Sequence, residues 1–129
     1  MAEDIYPIEF DRSIGRAHVK ISGEINAAKI GNTFLAIAMN EDWANGDRSV
    51  LWQLERAFFP ESFEFSDIFK ATQISMAFAK PGKSAFVVEK SSVMQERVAR
   101  FYQSIAATTT ERNTNLFYSK KEAVAWLDS

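Results

Sequence analysis

The side chains that could perform acid–base or metal chemistry in this chain form no recognisable group. His18 is the single histidine, and it shares the polar face of a predicted strand with Arg16 and Lys20. A catalytic or metal-binding histidine needs partners within hydrogen-bond reach or at ligand spacing, and no nearby motif provides them. We therefore interpret His18 as a solvated strand residue and predict no metal site.

The residues needed for covalent chemistry or cofactor binding also form no motif. The chain has no cysteine, which excludes thiolate nucleophiles, and it contains neither a nucleophilic-serine elbow nor a glycine-rich phosphate loop. Carboxylate pairs at Glu41–Asp42 and at Glu61 with Glu64 fall in polar turns or among exposed residues, where solubility is their simplest role. The sequence thus favours a protein that is not an enzyme and carries no cofactor.

A phenylalanine-rich segment, Glu55–Ser66, holds the most distinctive pattern in the sequence. Phe58, Phe59, Phe63 and Phe65 fall within it, between a buried strand and a helix, where connections normally run over the surface. One interpretation is that the rings fold back over the core, or that the strand or helix continues further than its pattern indicates. The other is a hydrophobic contact surface at the carboxyl end of the central strand, where open α/β sheets place their ligand crevice.

The helix predicted after this segment, over residues 67–79, extends the candidate surface. It carries two apolar lines, wider than one buried stripe requires, and these are Phe65–Phe69–Met76 and Ala71–Ile74–Phe78. The additional line is compatible with core coverage, a dimer interface or a pocket wall. Phe69 therefore joins the four phenylalanines of the segment as a candidate binding residue.

Five strands are predicted around these residues. The first two alternate in polarity and form an antiparallel hairpin, with Pro7 placing the first strand at an edge or its pairing at a gap. The third and fourth are continuous apolar runs, typical of strands covered on both faces. The strands are predicted at residues 5–10, 16–21 (ended by Ser22–Gly23), 50–54, 85–88 and 116–118.

Four helices follow from apolar periodicity and capping residues. Asn26 caps the first, over residues 27–40, and Ser119 caps the last, with Glu122 completing a capping box. The third, over residues 93–107, has a core stripe of Met94, Val98, Phe101 and Ile105. The order β-β-α-β-α-β-α-β-α predicts one α/β domain, residues 1–129, built on a mixed, mostly parallel five-stranded sheet with four helices.

Composition narrows the possible partners and location. The 129 residues carry a formal net charge of −2, with a pI near 5.4, so no positive field is available for nucleic acid. The first residues lack the basic and apolar regions of a signal peptide, and no apolar run approaches the roughly 18 residues of a membrane span. We expect a cytoplasmic protein that does not bind nucleic acid and is not transmembrane.

Three segments resemble SpoIIAA-like proteins of the STAS superfamily, which takes its name from sulfate transporters and anti-sigma factor antagonists. Phe10–Gly23 resembles the opening hairpin of that family, Val98–Tyr102 its third helix, and Leu116–Leu127 its closing strand and helix. The resemblance implies a STAS-like α/β fold, related in shape to the CRAL-TRIO lipid-transfer domain. It also implies that the chain is a bacterial-type regulatory or binding module and not an enzyme.

The chain departs from this family at the regulatory loop. Classical anti-sigma antagonists end the central strand with Asp-Leu-Ser and carry a phosphorylated serine in an Asp-Ser-Ser-Gly loop. Here the strand ends Gln53-Leu54-Glu55, and the nearest candidate serines are Ser62 and Ser66. Ser66 is better explained as a helix N-cap, although a phosphate at a helix N-terminus would be favourable.

These observations lead to three functional hypotheses. The first is a non-enzymatic regulatory or protein-binding module that contacts a protein partner or a second copy of itself, as a homodimer, through Phe58, Phe59, Phe63, Phe65 and Phe69. The alternative is a carrier of a small apolar ligand, such as a lipid or a fatty acid. The third is an anti-sigma factor antagonist regulated by phosphorylation at Ser62 or Ser66.

Overall fold

The protein is built on one five-stranded mixed sheet. The computed structural model describes residues 4–67, 69–70, 81–109 and 111–129. The strands lie in the sheet in their order along the chain, with β1 antiparallel to β2 and the other pairs parallel. They are β1 Ile8–Asp11, β2 Arg16–Glu24, β3 Ser49–Phe58, β4 Gly82–Val87 and β5 Arg112–Phe117. The predicted α/β class and mixed, mostly parallel sheet are thus confirmed, with β1 at an edge.

The helices differ from the predicted set in number. They are α1 Ala27–Ala38, α2 Glu41–Ala44, α3 Val93–Thr109 and α4 Lys120–Leu127, and residues 65–67 and 69–70 are helical as well. The short helix α2 was not predicted; Asn40 caps it by accepting a 3.0 Å hydrogen bond from the Trp43 amide. Most of the helix predicted over residues 67–79 lies outside the described residues.

β2 and β3 extend past the carboxyl-terminal boundaries that the sequence predicted, and β4 begins at Gly82, before its predicted start. β2 does not stop at Ser22–Gly23 but continues to Glu24, because Gly23 adopts a φ of +74° and a register shift between Ile21 and Gly23 absorbs the irregularity. β3 does not end near Leu54 but runs to Phe58, which pairs with Glu24. The first four residues of the phenylalanine-rich segment, 55–58, are therefore strand.

The last strand also begins earlier than predicted. β5 starts at Arg112 rather than at residue 116, and Arg112 is a buried, charged residue. Its guanidinium donates to the carbonyl oxygens of Arg48, at 2.7 Å, and Lys83, at 3.0 Å, and to Ser84 Oγ. These acceptors allow Arg112 to be buried in the sheet, although desolvation lowers its pKa.

Hydrophobic cores lie on both faces of the sheet, which explains why β3 is a continuous apolar run. On the front face, Val50 and Trp52 pack in the same core as Ile37 of α1. On the back face, Leu51 packs with Leu127 of α4. Alternating side chains of β3 thus enter opposite cores, as the prediction of a doubly covered strand required.

The N-terminal caps that the sequence predicted for the first and last helices, α1 and α4, are both present. Asn26 Oδ1 accepts a 3.0 Å hydrogen bond from the Lys29 amide at the start of α1. Ser119 Oγ accepts one of 3.2 Å from the Glu122 amide and contacts the Glu122 carboxylate. Within the described ranges, no helix combines the length and the apolar character that a membrane crossing requires.

Candidate functional site: the phenylalanine segment and the cavity behind it

His18 takes part in a short polar chain on the back face of the sheet. Its Nε2 atom lies 2.8 Å from Oε1 of Gln53, and the Gln53 amide donates to the Glu55 carboxylate at 2.5 Å. His18 is half-buried rather than fully solvated. Among the described residues, no group of three or more acidic, histidine or cysteine side chains could hold a metal ion. The arrangement fixes side chains on neighbouring strands.

Phe58 ends β3 and points its ring to solvent. The side chain is 55% exposed, while its carbonyl oxygen accepts a 2.8 Å hydrogen bond from the Ile25 amide. The backbone is therefore held in place although the ring is not covered. A rigidly presented, exposed aromatic ring is the kind of group that anchors protein interfaces.

Phe59 and Phe63 have a different environment from Phe58. Both are half-buried and pack against the front-face core, with their ring centroids 4.8 Å apart in an edge-on arrangement. The chain between them turns tightly, because the Phe63 amide donates to the Pro60 carbonyl at 2.9 Å. These two rings fold back over the core, as the first interpretation of the segment proposed.

Phe65 and Phe69 lie on the helical residues that follow and remain accessible. Phe65 is 42% exposed and Phe69 45%. The Phe65 ring stacks on Phe101 of α3, with centroids 5.1 Å apart. This contact places the helical residues beside α3, so that the exposed faces of both elements adjoin.

Two further apolar residues at the start of α3 are exposed, and sequence reasoning missed them. Val93 is 67% exposed and Met94 37%, although the periodicity of α3 had assigned Met94 to the core stripe. The periodicity was correct for Val98, but Met94, in the first turn of α3, is not covered by the core. We call Phe58, Phe65, Phe69, Val93 and Met94 the exposed apolar patch.

Gln95 joins the start of α3 to the ends of β3 and β4. The side chain is only 1% exposed. Its Nε2 atom donates hydrogen bonds to the Ala57 carbonyl, at 2.9 Å, and to the Glu89 carboxylate, at 2.8 Å. Its Oε1 atom accepts a hydrogen bond from the Glu89 amide. The same carboxylate accepts from the amide of Arg56, which has a φ of +54°. These bonds fix Phe58 and Val93 near one another.

A polar edge borders the patch on α3. The Tyr118 hydroxyl donates to the Glu96 carboxylate, and Arg100 Nε lies 3.4 Å from the other oxygen of that carboxylate. The pKa of Glu96 is lowered, mainly by the hydrogen bond from Tyr118 and next by that from Arg100. The Glu96 carboxylate in turn raises the pKa of Tyr118. Both signs of charge therefore lie next to the apolar residues.

The candidate phosphorylation sites are both exposed, but Ser66 is not the helix cap. Ser62 lies in the turn after Pro60. Ser66 is already helical, and its hydroxyl lies 3.3 Å from Glu64 Oε2. The Glu64 amide donates to Asp67 Oδ2 at 2.9 Å, so the helix begins around Glu64 because Asp67, not Ser66, satisfies a free amide there.

A small cavity lies behind Phe59, between the front face of the sheet, α1 and α3. Its volume is about 50 Å³ and its described lining is almost entirely apolar. The walls include Ile25, Ile30, Phe34, Trp52, Phe59 and Tyr102. Phe59 thus belongs to a cavity wall, while its neighbour Phe58 belongs to the exposed patch.

Comparisons of this chain with protein-family models, with curated proteins and with solved structures found no match.

Proposed function

We propose that the protein is a non-enzymatic, regulatory protein-binding module of STAS-like fold, and that its exposed apolar patch contacts a second copy of the chain. The observation that carries this proposal is the exposure of five large apolar side chains at one end of the sheet, from 37% for Met94 to 67% for Val93. The contact of so many neighbouring apolar groups with water is unfavourable. Covering them with another protein surface removes these groups from water.

Rigid presentation supports the proposal. Phe58 is held by the pairing of β3 with β2, and α3 is tied to β3 through Gln95. Side chains on fixed elements lose little conformational freedom on binding, so more of the apolar contact energy contributes to association. The patch therefore has the aromatic content and the rigid backbone that interface hot spots favour.

A second copy is the simplest occupant because the borders of the patch are electrically mixed. Glu96 and Arg100 lie together beside it, so two patches related by a two-fold axis can place opposite charges against each other. The small net charge of −2 gives little repulsion between copies. A patch bordered by one sign of charge would instead favour a different partner.

The test is the oligomeric state of paired variants. We expect the wild-type chain to sediment as a dimer and Phe58→Ser with Phe65→Ser to sediment as a monomer with an unchanged circular dichroism spectrum. Met39→Ser is the matched control, because Met39, directly after α1, is 70% exposed and outside the patch. It removes a similar apolar group and should leave the dimer intact.

A wild-type chain that sediments as a monomer at every concentration would contradict self-association. A dimer that survives in the double variant would show that another surface forms it. Phe59 and Phe63 are unsuitable for this test, since they pack on the core and serine there would destabilise the fold.

The cavity favours a second candidate function, the binding of a small apolar ligand. An apolar space of about 50 Å³ next to a half-buried phenylalanine is smaller than the roughly 150 Å³ that accommodates benzene. A lipid or fatty acid chain does not fit this space. The ligand proposed here is therefore smaller than the lipid expected from sequence.

A further inference from the structure

The indole N–H of Trp52 is buried without a hydrogen-bond acceptor among the described residues. Trp52 is 2% exposed, and buried tryptophans normally find an acceptor for this group. Trp43 follows the rule, since its Nε1 atom donates to the Ser49 carbonyl at 3.0 Å. The Trp52 ring is held between Phe34, edge-on at 5.0 Å, and Phe86, stacked at 5.8 Å, neither of which offers a conventional acceptor.

The same tryptophan forms part of the wall of the cavity behind Phe59. The other buried side-chain atom without a partner in the described ranges, Thr114 Oγ1, belongs to a residue outside the described cavity lining. Gln95 also lines the cavity, but both of its amide groups are already hydrogen-bonded to Ala57 and Glu89. Trp52 is therefore the residue of the described wall that is identified as having a buried donor without an acceptor.

Water is a poor occupant of such a space. A buried water needs two to four polar partners, and apolar cavities stay dry. The described walls are almost wholly apolar, so one indole N–H leaves a water molecule with most of its hydrogen bonds unmade. A molecule with an apolar body and one acceptor atom satisfies the same N–H at a smaller cost.

The charge of the occupant is restricted as well. No lysine or arginine belongs to the described lining, and a buried carboxylate or phosphate without a cation carries a large desolvation penalty. An ionised fatty acid is therefore excluded on charge as well as on length. A neutral carbonyl or ether oxygen needs only the one donor that Trp52 has.

We infer that this cavity binds a small neutral molecule with one hydrogen-bond acceptor, which receives the indole N–H of Trp52. The inference rests on the second candidate function, ligand binding in the cavity, and is independent of the exposed apolar patch. The volume limits the ligand to a few non-hydrogen atoms, because the cavity is about one third of the roughly 150 Å³ that takes benzene. Short ketones, aldehydes and ethers belong to this class.

The test uses acetone and isobutene, which have the same shape but differ in the oxygen that can accept a hydrogen bond. The protein has three tryptophans, so three indole N–H signals are expected in a ¹H–¹⁵N spectrum, and Trp→Phe variants assign them. In the free protein, the Trp52 signal should lie upfield of the hydrogen-bonded Trp43 signal. Acetone should move it downfield, while isobutene should shift signals of the cavity walls without that downfield change.

The affinities of the two probes then measure how much the hydrogen bond contributes to binding. Trp52→Phe should weaken the binding of acetone about tenfold more than that of isobutene, a coupling of about 1.4 kcal/mol. The comparison cancels the different hydration of the two probes and any general change in the cavity. Ala99→Leu, which fills the cavity from α3, should reduce binding of both probes.

The possible results separate this inference from the function on which it rests. If both probes bind but Trp52→Phe weakens them equally, or the Trp52 signal does not move, ligand binding stands and the hydrogen bond to Trp52 is wrong. If neither probe shifts any signal of a cavity-lining residue, ligand binding in this cavity is wrong as well. Should Trp52→Phe fail to fold, the wild-type shift of the Trp52 signal alone decides the hydrogen bond.

Discussion

The hydrogen bonding of two buried side chains, Gln95 and Trp52, distinguishes a structural residue from a candidate ligand-binding residue. Gln95 is hydrogen-bonded at both ends of its amide, so its role is to lock the start of α3 onto the sheet. Trp52 has a buried donor with no acceptor in the described part of the chain. Such a donor costs about 1–3 kcal/mol, and a ligand with one acceptor would remove that cost.

At the residue scale, the Tyr118–Glu96 hydrogen bond predicts a measurable pKa change. Tyr118→Phe should raise the pKa of Glu96 towards its ordinary value, because the Tyr118 hydroxyl is the largest cause of the lowered pKa. Arg100→Met should raise it as well, because Arg100 also lowers the pKa of Glu96. A carboxyl-detected NMR titration of Glu96 measures both, and a Glu96 pKa that is unchanged in Tyr118→Phe would contradict the assignment.

The same pair determines the direction of a stability change with pH. The folded-state pKa of Glu96 is lowered, so its contacts stabilise the fold above the unfolded-state pKa, and this contribution disappears as the pH falls through the folded-state pKa. The acid side of the stability curve should therefore be shallower in Tyr118→Phe than in the wild type.

At the scale of elements, two turns at the amino ends of β2 and β3 lie against each other. The Asp47 amide donates to the Ile14 carbonyl at 2.8 Å, and the Arg48 amide to the Gly15 carbonyl at 3.1 Å. A Cβ on Gly46 would lie 2.6 Å from the Gly15 Cα atom and 2.7 Å from the Asp42 carbonyl oxygen. Glycine is required at Gly46 by this close approach, not by its φ angle.

Substitutions at Gly46 and Gly23 should separate steric strain from torsional strain. Gly46→Ala is expected to lower the free energy of unfolding by about 1–3 kcal/mol, because backbone atoms cannot move aside. A Cβ on Gly23 would meet nothing within 4 Å, but Gly23 has a φ of +74°. Gly23→Ala should therefore lower the free energy of unfolding by about 1–2 kcal/mol, because alanine disfavours the left-handed conformation.

Urea denaturation measures both changes, and asparagine supplies the control. Gly23→Asn should recover part of the loss because asparagine tolerates the left-handed conformation, whereas Gly46→Asn should recover nothing. A Gly46→Ala protein as stable as the wild type would show that the two turns separate readily.

At the scale of the whole molecule, the sheet is stabilised from both faces, and the closing helix α4 covers part of the back. Leu127 is 3% exposed and packs in the back-face core with Leu51 and Ala85. Leu127→Ala should lower the free energy of unfolding by about 2–5 kcal/mol, through lost burial and the cavity left behind.

Lys121→Ala is the matched control on the same helix, since Lys121 is exposed and its substitution should change stability by about 0.5 kcal/mol or less. Both variants are measured by urea denaturation. If Leu127→Ala were as stable as the control, α4 would contribute little to the sheet, and the back face would be stabilised by the strands alone.

The sequence by itself determined the features that depend on local chemistry. Alternation of polar and apolar residues indicated the hairpin, the continuous apolar run of β3 indicated coverage on both faces, and Asn26 and Ser119 marked helix starts because their side chains can bond free amides. These signals involve neighbours within about four residues along the chain, which is the range of helix and strand periodicity. The order of the five strands and the starts of the first and last helices therefore followed from the sequence, whereas the short helix α2 did not.

Only the tertiary structure decided which phenylalanines are covered. Phe58 and Phe59 are adjacent in sequence, yet one is exposed and the other forms part of a cavity wall, since β3 continues to Phe58 and the chain turns after it. The exposure of Met94, and the lack of an acceptor for the Trp52 indole N–H among the described residues, likewise depend on residues distant in sequence. Burial and hydrogen-bond satisfaction are set by long-range packing, and no local pattern encodes them.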